Sequence, residues 1–144
     1  MWTSQHSIVS QASIEAVRSL FEDVAGWPEW NAGIEWIRLD GPFAVGTEGT
    51  MKVPGQDPLP FRLIAVGPDG FEDETAVPDA GIVVRVRHSI EAVDPTKVRI
   101  TYRVTIDGPA ADDVGPVIGP QISADFPDVL EALAARAESL NAEA

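Results

Sequence analysis

Two polar rings stand at positions where the surrounding pattern calls for apolar side chains. His88 lies in the run Ile82, Val84, Val86, His88, Ile90, Ala92, which shares one face of an alternating strand, with Arg85, Arg87, Ser89 and Glu91 on the other. An imidazole so placed is either a neutral core group bonded to one neighbour, or a ligand-binding group or general base whose pKa burial would tune. Tyr102 sits in the next run, Val98, Ile100, Tyr102, Val104, Ile106, opposite Arg99, Thr101, Arg103, Thr105 and Asp107. If the two runs close as a hairpin around Asp94-Pro95-Thr96, positions 88 and 102 pair directly, with Cβ atoms roughly 5 Å apart. Alternation in Phe71-Glu72-Asp73-Glu74-Thr75 puts Asp73 on a face with Phe71, Thr75 and Val77; if that face is inward and Pro78 to Gly81 form a tight turn, Asp73 lies diagonal to His88, where a carboxylate would orient the imidazole. The bland alternatives are a core tyrosine whose hydroxyl reaches backbone or water and an aspartate solvated near a strand end. The chemistry that His88, Tyr102 and Asp73 would support is ligand binding through polar tips or general acid–base catalysis.

The elements that must position these groups follow from pattern and punctuation. A strand is expected over Trp2 to Val9. Ser13 offers an N-cap to a helix carrying Ile14, Val17, Leu20, Phe21 and Val24 and ending near Gly26, and a short helical turn follows through Trp27 to Asn31. Short strands come next, Ile34 to Leu39, Thr47 to Val53, Leu59 to Val66 and Phe71 to Val77, separated by clusters of Gly, Pro and Asp that mark turns. The long runs ending at Val93 and Asp107 complete the series. Phe126, Val129, Leu130, Leu133, Ala137 and Leu140 then keep a helical period, with Asp125 and Asp128 early, where the helix dipole favours anions. Gly115-Pro116 and Gly119-Pro120 are expected to kink or break the helical entry to that element.

A curved sheet of about seven antiparallel strands with one apolar face needs a cover, and the terminal helix is the long element available for it. The space between them is where a pocket would form. Its expected lining is Trp36, Phe61, Val84, Val86, His88, Ile100, Tyr102, Phe126 and Leu130. Trp36 is ambiguous, because Ile34 and Trp36 compete with Ile37 and Leu39 for the interior. Arg85, Arg87, Arg99 and Arg103 share the wet face of two strands with several carboxylates and read as surface ion pairs. The face taken by His6 is not determined by its neighbours.

Composition excludes several classes of function. The chain has 144 residues and is expected to be one domain, 1–144, large enough for a core of its own. It has no cysteine, so disulfides and cysteine-zinc sites are ruled out, and its two histidines lie far apart, so no metal-ligand spacing appears. There is no glycine-rich phosphate loop and no nucleophile elbow, and no cofactor is expected. A net charge of −13 repels nucleic acid and anionic membrane surfaces. No signal segment and no membrane-spanning run is visible, so a cytoplasmic location without membrane insertion is the expectation.

The segments Ser13-Ile14-Glu15-Ala16-Val17 and Asp23-Val24-Ala25-Gly26-Trp27-Pro28-Glu29-Trp30-Asn31, followed by Gly41-Pro42-Phe43-Ala44-Val45-Gly46-Thr47, resemble the opening signature of the SRPBCC superfamily, which includes START-like and polyketide cyclase/dehydrase-like proteins. That resemblance implies an α+β helix-grip fold over essentially the whole chain, with Trp27 and Trp30 plugging one end of the grip. It leaves function open, since the superfamily holds carriers, receptors, enzymes and chaperone co-activators. Three readings compete. One is binding of a small, largely hydrophobic, polyketide- or lipid-like ligand. Another is a cyclase/dehydratase-like enzyme, a lyase or isomerase, with His88 as base. The last is a protein-partner module using an acidic helix face of Asp125, Asp128, Glu131 and Glu138. The oligomeric state is not determined by the sequence.

Overall fold

The computed structural model describes residues 1–143. Seven strands form one antiparallel sheet: β1 (Trp2–Ser10), β2 (Trp36–Leu39), β3 (Glu48–Lys52), β4 (Leu59–Gly67), β5 (Gly70–Val77), β6 (Ile82–Asp94) and β7 (Lys97–Asp107). Their spatial order is β1-β7-β6-β5-β4-β3-β2, so each strand from β2 to β7 pairs with its neighbour in sequence, and β1 closes onto β7. Helix α1 (Ile14–Glu22) and a 3-10 segment (Val24–Glu29) fill the long connection between the edge strands. Two helices, α2 (Ala111–Ser123) and α3 (Phe126–Glu143), end the chain and make one long bent element across the sheet. This is the helix-grip architecture, an α+β fold.

Local chemistry accounts for the boundaries. The Ser13 hydroxyl accepts from the Ala16 amide at 3.1 Å and caps α1. The short helix expected at Trp27 starts earlier, at Val24, and is a 3-10 turn. The Trp27 indole N–H is held by the carbonyls of Leu20 and Phe21, each at 3.1 Å, which locks the tryptophan under α1. The strand expected from Ile34 begins at Trp36. A bulge between Leu63 and Ala65 resets the alternation of β4, so that Leu63 lies opposite Asp73 and Val66 opposite Phe71. At Gly70 (φ +134°) a Cβ would collide with the His88 carbonyl, so only glycine lets β5 begin this close to β6.

The Gly-Pro pairs do not break α2, contrary to expectation. The helix runs through both prolines, and the bend falls at Ala124 and Asp125 instead. Gly115 and Gly119 face the indole of Trp2 on β1, and a Cβ at either position would strike it. The glycines therefore serve close packing of α2 on the sheet. Buried Val17, Ile100, Val104, Ile106 and Leu133 lie between the helices and the strands, each contributing on the order of 1.5–3 kcal/mol by burial.

Candidate functional site

The main helix packing is lopsided. Helix α2 rests on β1 and β7, and α3 on β1 and α1. On β7 the inward residues Val98, Ile100, Tyr102, Val104 and Ile106 are all buried. Farther from the helices, the inward residues Val84 and Val86 on β6, and Asp73 and Thr75 on β5, are only partly covered. The concave face is thus sealed at β7 and half-open over β5 and β6.

At the border between these zones lies a row of rings. The register sets His6 opposite Tyr102, Tyr102 opposite His88, and His88 opposite Phe71, one residue from each of four neighbouring strands. His88 stacks on Phe71 with ring centres 4.1 Å apart and planes 8° apart. Tyr102 meets His88 edge-on at 4.4 Å and Phe126 of α3 edge-on at 5.6 Å. Trp27 lies beside both Phe71, at 5.4 Å, and His88, at 6.3 Å, and Phe43 meets Phe71 edge-on at 5.2 Å. The rings expected to protrude singly into a hollow are in contact with one another, because stacking recovers the dispersion energy an empty space would forfeit.

Two polar atoms in this row have no partner. His88 Nδ1 and the hydroxyl oxygen of Tyr102, the chain's single tyrosine, are buried without a hydrogen bond. A buried polar group left unpaired costs about 1–3 kcal/mol. Asp73, paired with Val86, is diagonal to His88, and its Oδ2 lies 3.9 Å from Nδ1. That separation is too long for a hydrogen bond.

Electrostatics make the Asp73–His88 contact something other than an ion pair. Burial pushes the Asp73 carboxyl up to about 7, with the charge of Glu72 adding to the rise. Burial pulls the His88 imidazole down to about 3, only partly opposed by the carbonyls of Phe71 and Val86. Each group favours its uncharged form, so the pair is a neutral acid beside a neutral base. Burial also raises Tyr102, and the charges of Asp73 and then Asp125 add to that effect, so the phenol keeps its proton. Asp125, at the bend between α2 and α3, is raised chiefly by partial burial, and its carboxylate packs against Gly33.

Other expected lining residues divide. Phe61, Ile100, Phe126 and Leu130 are buried, Phe61 with its ring over Gly49. Trp36 is corrected: Ile37 takes the interior, and Trp36 on edge strand β2 is 40% exposed on the outer face. Two participants escaped the sequence reading. His6 faces inward, edge-on to Phe126 at 6.1 Å. The alternation of Trp2, Ser4, His6 and Ile8 was the available signal, and its partner strand was the missing information. Phe71 was read only as a strand residue, though it is the platform for His88.

The acidic face of α3 is partly engaged within the fold, since Glu138 accepts a hydrogen bond from Ser10 at 2.8 Å. Exposed large apolar side chains such as Val9, Trp36, Val45 and Val117 lie on separate elements. A surface recess of about 360 Å³ lies between the start of α1, the β6–β7 turn and Asn141, with no ring of the row in its wall. Among the described residues, no helix is long and apolar enough to cross a membrane, and no cluster of three His, Asp or Glu could hold a metal ion.

The sheet, the bent helix pair and the inward row of rings define a helix-grip protein of the START-like kind. Residues 1–138 match the family described as polyketide cyclase / dehydrase and lipid transport, and the chain belongs to that family. No curated protein matches it. Among solved structures it resembles a norcoclaurine synthase point mutant of Thalictrum flavum in complex with a transition-state analogue, at 14% identity and a TM-score of 0.75, covering 97% of this chain and 96% of that one. It also resembles a START superfamily protein from Mycobacterium smegmatis, at 17% identity and a TM-score of 0.71, covering 96% and 98%. The di-domain ARO/CYC protein StfQ from the steffimycin biosynthetic pathway matches at 12% identity and a TM-score of 0.80, covering 97% of this chain and 52% of the other. At such identities these likenesses speak for the fold alone.

Proposed function

We propose that the protein binds a small, largely apolar, ring-bearing molecule on the half-open concave face between β5, β6 and the bend of the terminal helices. The observation that carries this reading is the pair of buried, unpartnered polar atoms, His88 Nδ1 and the Tyr102 hydroxyl, in a wall otherwise made of rings. A ligand that seats its flat body against Val84 and Val86 and offers one polar substituent to those atoms relieves their desolvation cost. Membership of a polyketide cyclase / dehydrase and lipid transport family supports a ligand of this kind. Native mass spectrometry of the protein as purified, followed by NMR of the single tyrosine ring, tests it. The expected result is a retained small molecule, or one found by screening, that shifts the Tyr102 resonances and binds about tenfold more weakly to Tyr102→Phe. Ligands that leave Tyr102 undisturbed would refute the site.

Acid–base catalysis of the cyclase/dehydratase kind is a second reading, and one observation favours it with altered roles. His88, pulled down to about 3, is a poor proton acceptor at neutral pH, whereas Asp73 at about 7 is poised between acid and base. In this reading the Asp73 carboxylate takes the proton from carbon beside a carbonyl. The protonated Tyr102 hydroxyl donates to the enolate oxygen, and neutral His88 positions the two. Asp73→Asn would then abolish turnover while His88→Gln lowers it less; the reverse order would restore His88 as the base.

A further inference from the structure

Among the described residues, the carboxyl groups around the row of rings have no cation to answer them. On the outer face of β5, β6 and β7 three arginines are paired: Arg85 with Glu74 at 2.9 Å and Asp107 at 3.5 Å, Arg87 with Glu72 at 3.7 Å, and Arg99 with Glu91 at 2.9 Å, while Arg103 is exposed on β7. On the inner face, among the described residues, Asp73 has one chargeable contact, the His88 imidazole at 3.9 Å. Asp125 has no ion pair and sits exposed at the rim, beside Gly33. Asp73 reaches the row through His88, whose ring meets Tyr102 edge-on at 4.4 Å, and Asp125 directly precedes Phe126, whose ring meets Tyr102 edge-on at 5.6 Å.

We propose that the ligand of this site is an amine on an aromatic or similarly flat apolar body, its ammonium group held by Asp73 and Asp125 beside the Tyr102 hydroxyl. This rests on the binding reading above and adds the sign of the charge. An ammonium group has three N–H donors and no acceptor. The inner wall offers acceptors to match: a carboxylate oxygen of Asp73, the unpartnered Tyr102 oxygen, and His88 Nδ1 when the imidazole proton is on Nε2. The net charge of −13 draws cations toward the molecule as a whole. A carboxylate-bearing ligand of the same shape would meet two like charges and no counter-ion.

Three probes of matched size separate the possibilities: 2-phenylethylammonium, 2-phenylethanol and 3-phenylpropionate, titrated at slightly alkaline pH and low salt by calorimetry and by NMR of the Tyr102 ring. The ammonium compound is expected to bind at least about tenfold more tightly than the alcohol, and the propionate least. Asp73→Asn, nearly isosteric, should bring the amine within about twofold of the alcohol; Asp125→Asn should cost the amine about two- to threefold. Equal or tighter binding of the alcohol or propionate, or an undiminished amine preference in Asp73→Asn, overturns the charge assignment and leaves the binding reading standing. Failure of all three to shift the Tyr102 resonances overturns both. Should Asp73→Asn not fold, the wild-type ranking and Asp125→Asn still decide.

Discussion

The two faces of β5, β6 and β7 carry ionisable residues one position apart and treat them in opposite ways. On the outer face Glu74 bridges Arg62 and Arg85, Glu72 meets Arg87, and Glu91 meets Arg99. These groups stay charged because each has a partner and water. On the inner face Asp73 and His88 touch without pairing, and both are driven toward neutrality by the loss of water. A shift of one residue along a strand thus converts a solvated ion pair into a neutral acid and base.

The sharpest way to break this contrast is the pH dependence of stability. Asp73 has its folded pKa raised from 3.8 to about 7, so the native state holds a proton that the unfolded chain has lost. Its effect is therefore a loss of stability as pH rises from about 4 to 7. His88 has its folded pKa lowered from 6.5 to about 3, so its effect is a loss of stability as pH falls from about 6.5 to 3. Between about pH 4 and 6.5 the two slopes oppose each other. Asp73→Asn should be about 2–4 kcal/mol more stable than wild type near pH 8 and equal to it near pH 4. It should also unmask a rise in stability from acid pH to neutrality, measured by urea melts. A destabilised Asp73→Asn at alkaline pH would show that the carboxylate has a partner after all.

Removing the second ring should come next in size. His88→Ala empties the space between Phe71 and Tyr102 and is expected to cost about 3 kcal/mol in chemical denaturation. A cost below about 1 kcal/mol would mean that the row is loosely packed. Tyr102→Phe deletes an unpaired hydroxyl from a buried ring, so the ligand-free protein should gain about 1 kcal/mol. A comparable loss would reveal a hydrogen-bond partner. Glu74→Gln on the outer face should cost under about 1 kcal/mol, and salt should erase the difference. A larger, salt-resistant cost would undo the claim that the outer pairs are screened.

Much of this arrangement was legible beforehand. The clean alternation of residues 82–93 and 98–107 implied that His88 and Tyr102 share an inner face, and the Asp94-Pro95-Thr96 turn implied that they pair, as the register has it. Side-chain period and turn position are local properties, so a linear chain displays them. The side taken by Trp36 was not legible, because Ile34 and Trp36 compete evenly with Ile37 and Leu39 and the choice depends on what Ile37 finds beneath it. The role of Gly115 and Gly119 was misread as helix breaking, because their partner is Trp2, more than a hundred residues away.

The sequence by itself determined the order of elements, the pairing of the long hairpin and the neutrality of its inner face. Tertiary structure alone decided that α2 and α3 cover β7 but leave β5 and β6 half-open. It also decided that His6 and Phe71 extend the row, and that Asp73 ends where water is scarce and no cation is near. Local pattern selects which way a side chain points. Only the packing of distant segments sets how much water remains when it gets there, and that residue of water governs charge, pairing and affinity.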